Sequence, residues 1–342
     1  MDLSAFQTHN KGRKMTKEER TRASVDLSIQ YLASYYSDWR LVKVLSNKKL
    51  LDERYEFFMP LMKELVQDGD ADGSSTIAQE IKNGIHFDSI SHCVQYVEDL
   101  FALIRAAQNK DYFVRNIVTY KAGEITNFIK GFRITPNSAG KIYHIPDNLD
   151  GFTEEHTSQL TKGKETLARL TAEIVEFYKK YEFLYNQYKH GLSVALRPFG
   201  NIFTPEQIAE DKNGNLNPYL VVYDNLNLNA ASSKGTMNLQ HGVHMPGFTD
   251  NVRPFIKDLS EENNYLRFVF PHDYPNFSME VLLTHARNAR ACIQTFVTNY
   301  YQELSYKGGK RRFVFPEDPT TNTFNIVGYT PASDENNAEV AQ

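Results

Sequence analysis

The residues best suited to chemistry cluster in YNQYKHGLSVALRPFG, where a long amphipathic stretch ends. Asn186 and His190 are four residues apart, so on a helix they share one face, with Lys189 beside them. A histidine can give or take a proton near neutral pH, and nearby cations can hold a phosphate. This pattern predicts acid–base chemistry on a phosphate ester. Asn186, Lys189 and His190 are the predicted catalytic residues, and Ser193 and Arg197 the predicted substrate-binding residues.

The same helix end also has a purely structural interpretation. Cationic side chains in the last turn of a helix complement the negative end of its dipole. His190 would then bond the exposed carbonyls while Gly191 ends the helix. Both interpretations stay open on the sequence alone.

Two long helices are predicted to position these groups. The first covers residues 162–191, and its apolar side chains recur every three or four residues. They are Leu167, Leu170, Ile174, Phe177, Tyr181, Leu184 and Tyr188. The second covers residues 277–304 and carries His285, Arg287 and Arg290. If the helices pack together, the two arginines face the Lys189–His190 end as further substrate-binding residues, and otherwise they form a solvated basic face.

The aromatic-rich helix ending in YKHG, with an arginine and a breaking loop after it, resembles poorly characterised all-helical bacterial proteins. Some of these are similar to the HEPN superfamily, whose members are helical bundles, often dimeric, and many of them RNases in toxin–antitoxin and phage-defence systems. The family signature is an arginine, a polar residue, and a histidine four to six positions after the arginine. His190 and Asn186 match the last two. The positions expected to hold arginine are Phe183, Leu184 and Tyr185.

The loop DGDADGSSTIAQE resembles the start of a calcium-binding EF-hand loop. Asp68, Asp70 and Asp72 precede Gly73, which gives the carboxylate spacing that calcium prefers. Gln79 stands where the bidentate glutamate is expected. A calcium site and a solvated acidic linker are both open, and no other cofactor is predicted.

Other histidine combinations are weaker. His241 and His244 lie in a glycine-rich loop, and His272 precedes Asp273 further on. No third ligand is fixed by the spacing, so a chance arrangement is favoured over a metal site. The chain also lacks a P-loop, a paired-glycine dinucleotide turn, a G-x-S-x-G elbow and an H-E-x-x-H motif.

The predicted fold class is mainly α, a helical bundle with a loop-rich α+β insertion and a short β or disordered C-terminal tail. The predicted parts are a flexible N-terminus (1–15), the bundle (16–197), an insertion with two or more strands (198–275), a closing helix (276–305) and the tail (306–342). Within the bundle, one helix is expected from Thr16 to residue 45, and a later short helix is expected to end at Gly84. The helix that follows is expected to be capped by Ser89 or Ser91. Residues 133–153 are expected to form a connection.

Composition narrows the function classes. With a net charge of −4, the chain gives no global reason to bind nucleic acid or an anionic membrane, so any RNA or nucleotide contact needs a local basic patch. Cys93 and Cys292 lie in apolar patterns and are predicted to be buried free thiols, which favours a reducing compartment such as the cytoplasm. No signal peptide and no run of eighteen apolar residues is found, so no membrane span is predicted. Two functions remain: an RNA-linked HEPN-like protein, or a non-enzymatic protein that self-associates through its bundle.

Overall fold

Helices dominate the computed structural model, which describes residues 15–52, 73–147, 152–189, 194–195, 220–223, 266–269, 278–308 and 311–329. The helices are α1 (Lys17–Ser34), α2 (Trp39–Asp52), α3 (Gly73–Ala107), α4 (Phe113–Thr119), α5 (Ala122–Gly131), α6 (Pro136–Ile142), α7 (Glu154–Lys189) and α8 (Met279–Ser305), with a 3₁₀ turn at Lys110–Tyr112 before α4. The predicted mainly α class with a short C-terminal β part is confirmed.

The centre of the fold is a bundle of α2, α3, α7 and α8. Helices α7 and α8 run antiparallel, because Phe177 contacts His285 while Glu173, one turn earlier, accepts a hydrogen bond from Asn288. Helix α3 also runs antiparallel to α7. The core is continuous and rich in aromatic side chains, as the amphipathic periods predict. Its largest fully buried members are Tyr96, Tyr143, Tyr178, Tyr181, Tyr300, Phe87, Phe101, Phe113, Phe296 and Phe315.

The prediction of one helix from Thr16 to residue 45 is wrong in its middle. Helix α1 begins with a capping box, in which Thr16 and Glu19 exchange hydrogen bonds. The chain leaves the helix at Tyr35 and re-enters it at Trp39. Two tertiary contacts stabilise this break, since the Tyr96 hydroxyl donates to the carbonyl of Ser37 and Arg290 binds Asp38.

Gly84 does not end a helix, because α3 runs through it. Ser89 and Ser91 do not cap one either. Both are buried in mid-helix, and their hydroxyls donate to the carbonyls of Ile85 (2.9 Å) and Phe87 (3.0 Å). A glycine inside a helix costs about 1 kcal/mol, which burial of the surrounding apolar residues readily outweighs.

The expected connection at residues 133–153 contains α6. Its start follows standard helix chemistry that the sequence analysis missed: Thr135 caps the helix, Pro136 occupies the first position, and Ser138 bonds back to Thr135. The helix docks on α7 through a 2.6 Å hydrogen bond between the hydroxyls of Tyr143 and Thr171.

The described residues include two small sheets. The insertion was predicted to hold two or more strands, and it contains β2 (Leu220–Tyr223) and β3 (Leu266–Val269), which pair antiparallel, while β1 (Val194–Ala195) joins β2 on its other side. The second sheet is the hairpin of β4 (Arg311–Asp318) and β5 (Thr323–Tyr329).

The β4–β5 hairpin is part of the core, because Phe313, Phe315 and Val327 are buried. Its close approach to α7 depends on Gly163. A Cβ at that position would lie 2.6 Å from the Phe315 ring. A short β part was one of the two alternatives predicted for the tail, but its packing against the bundle was not predicted.

The two cysteines behave as predicted. Cys93 and Cys292 are both buried and free. In the part of the chain that the structure describes, no helix is long and apolar enough to cross a bilayer.

Candidate functional site

The helix that carries the predicted catalytic group ends at Lys189. Several predicted residues lie outside the described residues. They are His190, Ser193 and Arg197 after the helix, Asp68, Asp70 and Asp72 of the calcium-like loop, and the histidines of the glycine-rich segment. Among the residues that are described, no group of three or more His, Cys, Asp or Glu side chains is placed to hold a metal ion.

Asn186 and Lys189 are described, and both contact neighbours within the chain. The Asn186 amide donates to Glu182 Oε1 at 2.9 Å, and the other oxygen of Glu182 pairs with Lys130 at 2.8 Å. Lys189 is exposed, and its Nζ lies 5.7 Å from the centre of the Tyr185 ring. Glu182 therefore ties α7 to α5, Asn186 is engaged within α7 itself, and Lys189 stays open to solvent.

The structure does not bring the α8 residues to this helix end. His285 and Asn288 contact the middle of α7, at Phe177 and Glu173. Arg290 is 9% exposed and bound to Asp38, so it is not part of a solvated basic face. Arg287 is half-buried on the same stretch of α8.

What the end of α7 does approach is a polar stripe on α3. Asp88, His92, Gln95 and Asp99 are spaced by four, three and four residues, so they share one face of α3. That face meets α2, where Asn47 bonds Asp88 (2.9 Å) and Arg40 bonds Asp99. We call these four residues of α3, with Trp39, Arg40 and Asn47 of α2, the polar seam.

A chain of hydrogen bonds crosses the polar seam. The guanidinium of Arg40 binds both oxygens of Asp99, at 2.5 and 3.1 Å, and also donates to the Gln95 carbonyl oxygen. The Gln95 amide in turn donates to the Tyr185 hydroxyl at 3.2 Å. Arg40 thereby links α2 through α3 to α7, and its fork geometry suits a carboxylate held by two bonds.

Burial changes the pKa values of two neighbouring carboxylic acids of α3, Asp99 and Glu98. It raises the pKa of Asp99, and the Arg40 guanidinium opposes that shift. Burial also raises the pKa of Glu98, which receives a hydrogen bond from Tyr178 and feels the positive charge of Lys189. Two carboxylates thus lie inside the bundle in this region, so an anion is better accommodated on its solvent side.

The other end of the polar seam holds an imidazole–carboxylate pair. His92 Nε2 lies 3.4 Å from Asp88 Oδ2, and Asn47 supports the same carboxylate. The hydrogen bond from His92 is the main reason that the pKa of Asp88 is lowered. Burial raises the pKa of Tyr188, whose ring packs on Phe87, and the charge of Asp88 raises it further, so the end of α7 lies close to this pair.

Trp39 covers the outer edge of the polar seam. Its side chain is 40% exposed. The Arg40 guanidinium lies 4.3 Å from its ring centre, and the His92 ring meets it edge-on at 5.7 Å. Lys43, one turn further along α2, is exposed. Because Arg40 is paired with Asp99, the exposed Lys43 supplies the positive charge beside this ring, and an exposed aromatic ring with a cation beside it can stack a planar ring and hold an anion.

Sequence reasoning missed the polar seam. Its signals are present: Asp88 and His92 are four apart within a helical pattern, and the only tryptophan is followed directly by an arginine. The sequence does not say that residues about fifty positions apart meet, and that pairing creates the surface.

No protein-family model matches this chain, and neither the curated proteins nor the solved structures contain a significant match to it.

Proposed function

We propose that this protein binds single-stranded RNA at the outer edge of the polar seam, with Trp39 as the stacking surface. The exposed Trp39 ring with Arg40 at 4.3 Å is the observation that carries the proposal. A base stacked on an aromatic side chain contributes about 1–3 kcal/mol and requires no particular sequence. Lys43 and Lys189, both exposed, supply the positive charge that phosphates need.

RNA cleavage is the further step of the same proposal, in line with the resemblance to HEPN proteins. His190 would act as acid or base and Lys189 would hold the phosphate, without a metal ion. Asn186 has a supporting role here, because its amide is engaged by Glu182. A cytoplasmic setting and a part in bacterial defence or in a toxin–antitoxin pair belong to this proposal, and the buried free thiols support the setting.

The direct test uses the fact that Trp39 is the only tryptophan. Stacking of a base on its ring should quench the intrinsic fluorescence when single-stranded RNA of about 12 nucleotides is added, a length typical of such sites. Binding should weaken as salt is raised. Unchanged fluorescence and no binding at low salt would overturn the proposal.

Measurements of binding and cleavage of end-labelled RNA by single-residue variants distinguish the roles of the individual residues. Trp39→Ala should weaken binding about 5- to 150-fold, which corresponds to the loss of one stacked base, and Trp39→Phe should retain most of the affinity. The matched control is Tyr112→Ala, because Tyr112 is 49% exposed and has Arg115 at 5.8 Å but lies elsewhere. His190→Ala should abolish cleavage and leave binding in place.

A second function, self-association, is favoured by the same face of α2. Val42 and Leu45 are 48% and 40% exposed and follow Trp39 at helical spacing. If this face is an interface between two copies, Trp39 fluorescence should change on dilution without RNA, and Leu45→Glu should keep the protein monomeric in sedimentation experiments. A monomer at all concentrations would exclude this alternative.

A further inference from the structure

A cleft of about 300 Å³ lies between the C-terminal end of α3, α4 and the start of α5. That volume is at the lower end of the range of roughly 300–1,000 Å³ seen for small-molecule sites. Its floor is apolar and made of buried residues, Ala102, Ala106 and Ile125. The small alanines leave the space, and the rim above them is polar.

The rim is dominated by side-chain amides. Gln108, Asn109 and Asn116 all line the cleft. Asn109 Oδ1 accepts from the amide of Asp111 at 3.2 Å, which leaves its NH₂ group available. Asn116 donates only a long bond of 3.5 Å to the carbonyl of Ala106, which leaves its carbonyl oxygen available. Among the described residues, the Asn109 NH₂ group and the Asn116 carbonyl oxygen thus offer one donor and one acceptor to a molecule in the cleft.

The fourth rim group is aromatic. Tyr120 is 46% exposed and stands at the mouth of the cleft. Its ring can stack on a flat ligand that lies on the apolar floor, while the amides reach the edge of that ligand. Amide side chains recognise nucleobases in this way, by giving and accepting one hydrogen bond each along a base edge.

The charges around the cleft select among flat ligands. Arg105 is neutralised by Glu124 at 2.7 Å. The cleft faces the C-terminal end of α3, where the helix dipole is negative. Burial raises the pKa of Tyr120, and the negative charges of Asp99 and Glu98 raise it further, so the electrostatic field at the cleft is negative. A phosphate is disfavoured in such a field, whereas an exocyclic amino group is favoured.

A second cavity of the same size, between α7 and the segment that follows α5, lacks this set of side chains. It is lined by Phe132, Arg133, Ile134, Ala172, Val175, Glu176 and Lys179. Among the described residues that line it, none has a side-chain amide. The two cavities therefore differ in chemistry and not in volume.

We propose that the cleft between α3, α4 and α5 binds an amino-substituted nucleobase, of the adenine or cytosine type, as a free base or nucleoside. Tyr120 stacks on the ring, and the amides of Asn109 and Asn116 bond its edge. This site is separate from the RNA surface at Trp39 and does not depend on it.

Calorimetric titration of the full chain with adenosine tests the proposal. Adenosine should bind in a saturable way, and inosine, in which a carbonyl replaces the amino group, should bind about tenfold more weakly, as the loss of one hydrogen bond implies. AMP should bind no more tightly than adenosine. The absence of saturable adenosine binding, or equal affinity for adenosine and inosine, would overturn it.

Three variants locate the site. Tyr120→Ala and Asn116→Ala, both at accessible positions, should each weaken adenosine binding at least fivefold with an unchanged circular dichroism spectrum. Ala102→Leu should block the cleft from its floor. Arg133→Ala, in the other cavity, should bind adenosine as the unmodified protein does. Binding that survives both Tyr120→Ala and Asn116→Ala would show that the ligand lies elsewhere and would contradict the proposal.

Discussion

Arg290 Nε donates to the carboxylate of Asp38 at 2.6 Å, which joins the turn between α1 and α2 to the middle of α8. The two residues are 252 positions apart. The contact fixes the point at which the predicted single helix divides, because Asp38 lies in the break between α1 and α2. Arg290 was expected near the tip of α7, and its charge is instead used within the fold.

Loss of this ion pair should destabilise the protein. Arg290→Ala leaves Asp38 without its partner and removes the packing of the arginine stem, so we expect the free energy of unfolding to fall by about 1–3 kcal/mol. Urea denaturation followed by circular dichroism measures it. Arg287→Ala, on the same helix, should cost under about 0.5 kcal/mol. Equal effects of the two variants would contradict the assignment.

Asn299 connects three parts of the chain through its buried amide. Its NH₂ group donates to the carbonyls of Tyr143 (3.0 Å) and Val314 (2.9 Å), and its oxygen accepts from the Val314 amide (2.8 Å). Asn299 thus bonds the backbone N–H and C=O of Val314 in β4, as a neighbouring strand would. Asn299→Leu should cost about 2–4 kcal/mol, because backbone groups are left buried without partners.

The control for Asn299 lies one turn along α8. Gln302 accepts from the amide of Arg312 at an exposed position, so Gln302→Ala should cost less than about 1 kcal/mol. The same urea titrations apply. If Asn299→Leu were as mild as Gln302→Ala, the amide would not be needed to hold β4.

Gly163 is expected to tolerate no side chain. An added Cβ would lie 2.6 Å from the Phe315 ring, so Gly163→Ala should lower stability by about 1–3 kcal/mol although alanine favours helix. Gly123 in α5 has nothing within 4 Å of the equivalent position. Gly123→Ala should therefore stabilise the protein by up to about 1 kcal/mol. Thermal unfolding of both variants gives opposite shifts if this packing is correct.

His285 should make stability fall in mild acid. Its ring lies 4.4 Å from that of Phe177, and burial lowers the pKa of His285 to about 4 from its ordinary value of 6.5. Below about pH 6.5 the unfolded chain binds a proton at this residue, whereas the folded protein does so only near pH 4. The contribution of the neutral His285 side chain to stability is fully present at neutral pH. Between about pH 6.5 and about pH 4 the free energy of unfolding should fall by about 2–3 kcal/mol.

The measurement is the free energy of unfolding at pH 7 and pH 4.5. His285→Phe should lose less stability between these pH values than the unmodified protein does. His156→Gln, at the partly exposed start of α7, should lose as much as the unmodified protein. An identical loss in His285→Phe would rule out His285 as a source of the acid sensitivity.

Local sequence patterns predicted the elements well where burial and helical period agree. The apolar stripe of α7 and the closing helix α8 follow from side-chain spacing alone, and strands β2 and β3 lie in the insertion for which strands were predicted. The pattern failed where tertiary contacts outweigh local preference. Gly84 continues a helix because its neighbours are buried, and the chain breaks before Trp39 because Ser37 and Asp38 are held by α3 and α8.

For the candidate site too, some features follow from the sequence and others only from the tertiary structure. The sequence by itself determined the helical fold class, the two buried thiols, and the polar residues Asn186 and Lys189 at the end of α7. Only the tertiary structure decided that Arg40 meets Asp99, that His92 meets Asp88, and that Trp39 stays exposed above them. The physical reason is that spacing along a chain fixes which side chains share one helix face. Which faces meet depends instead on how the whole core packs.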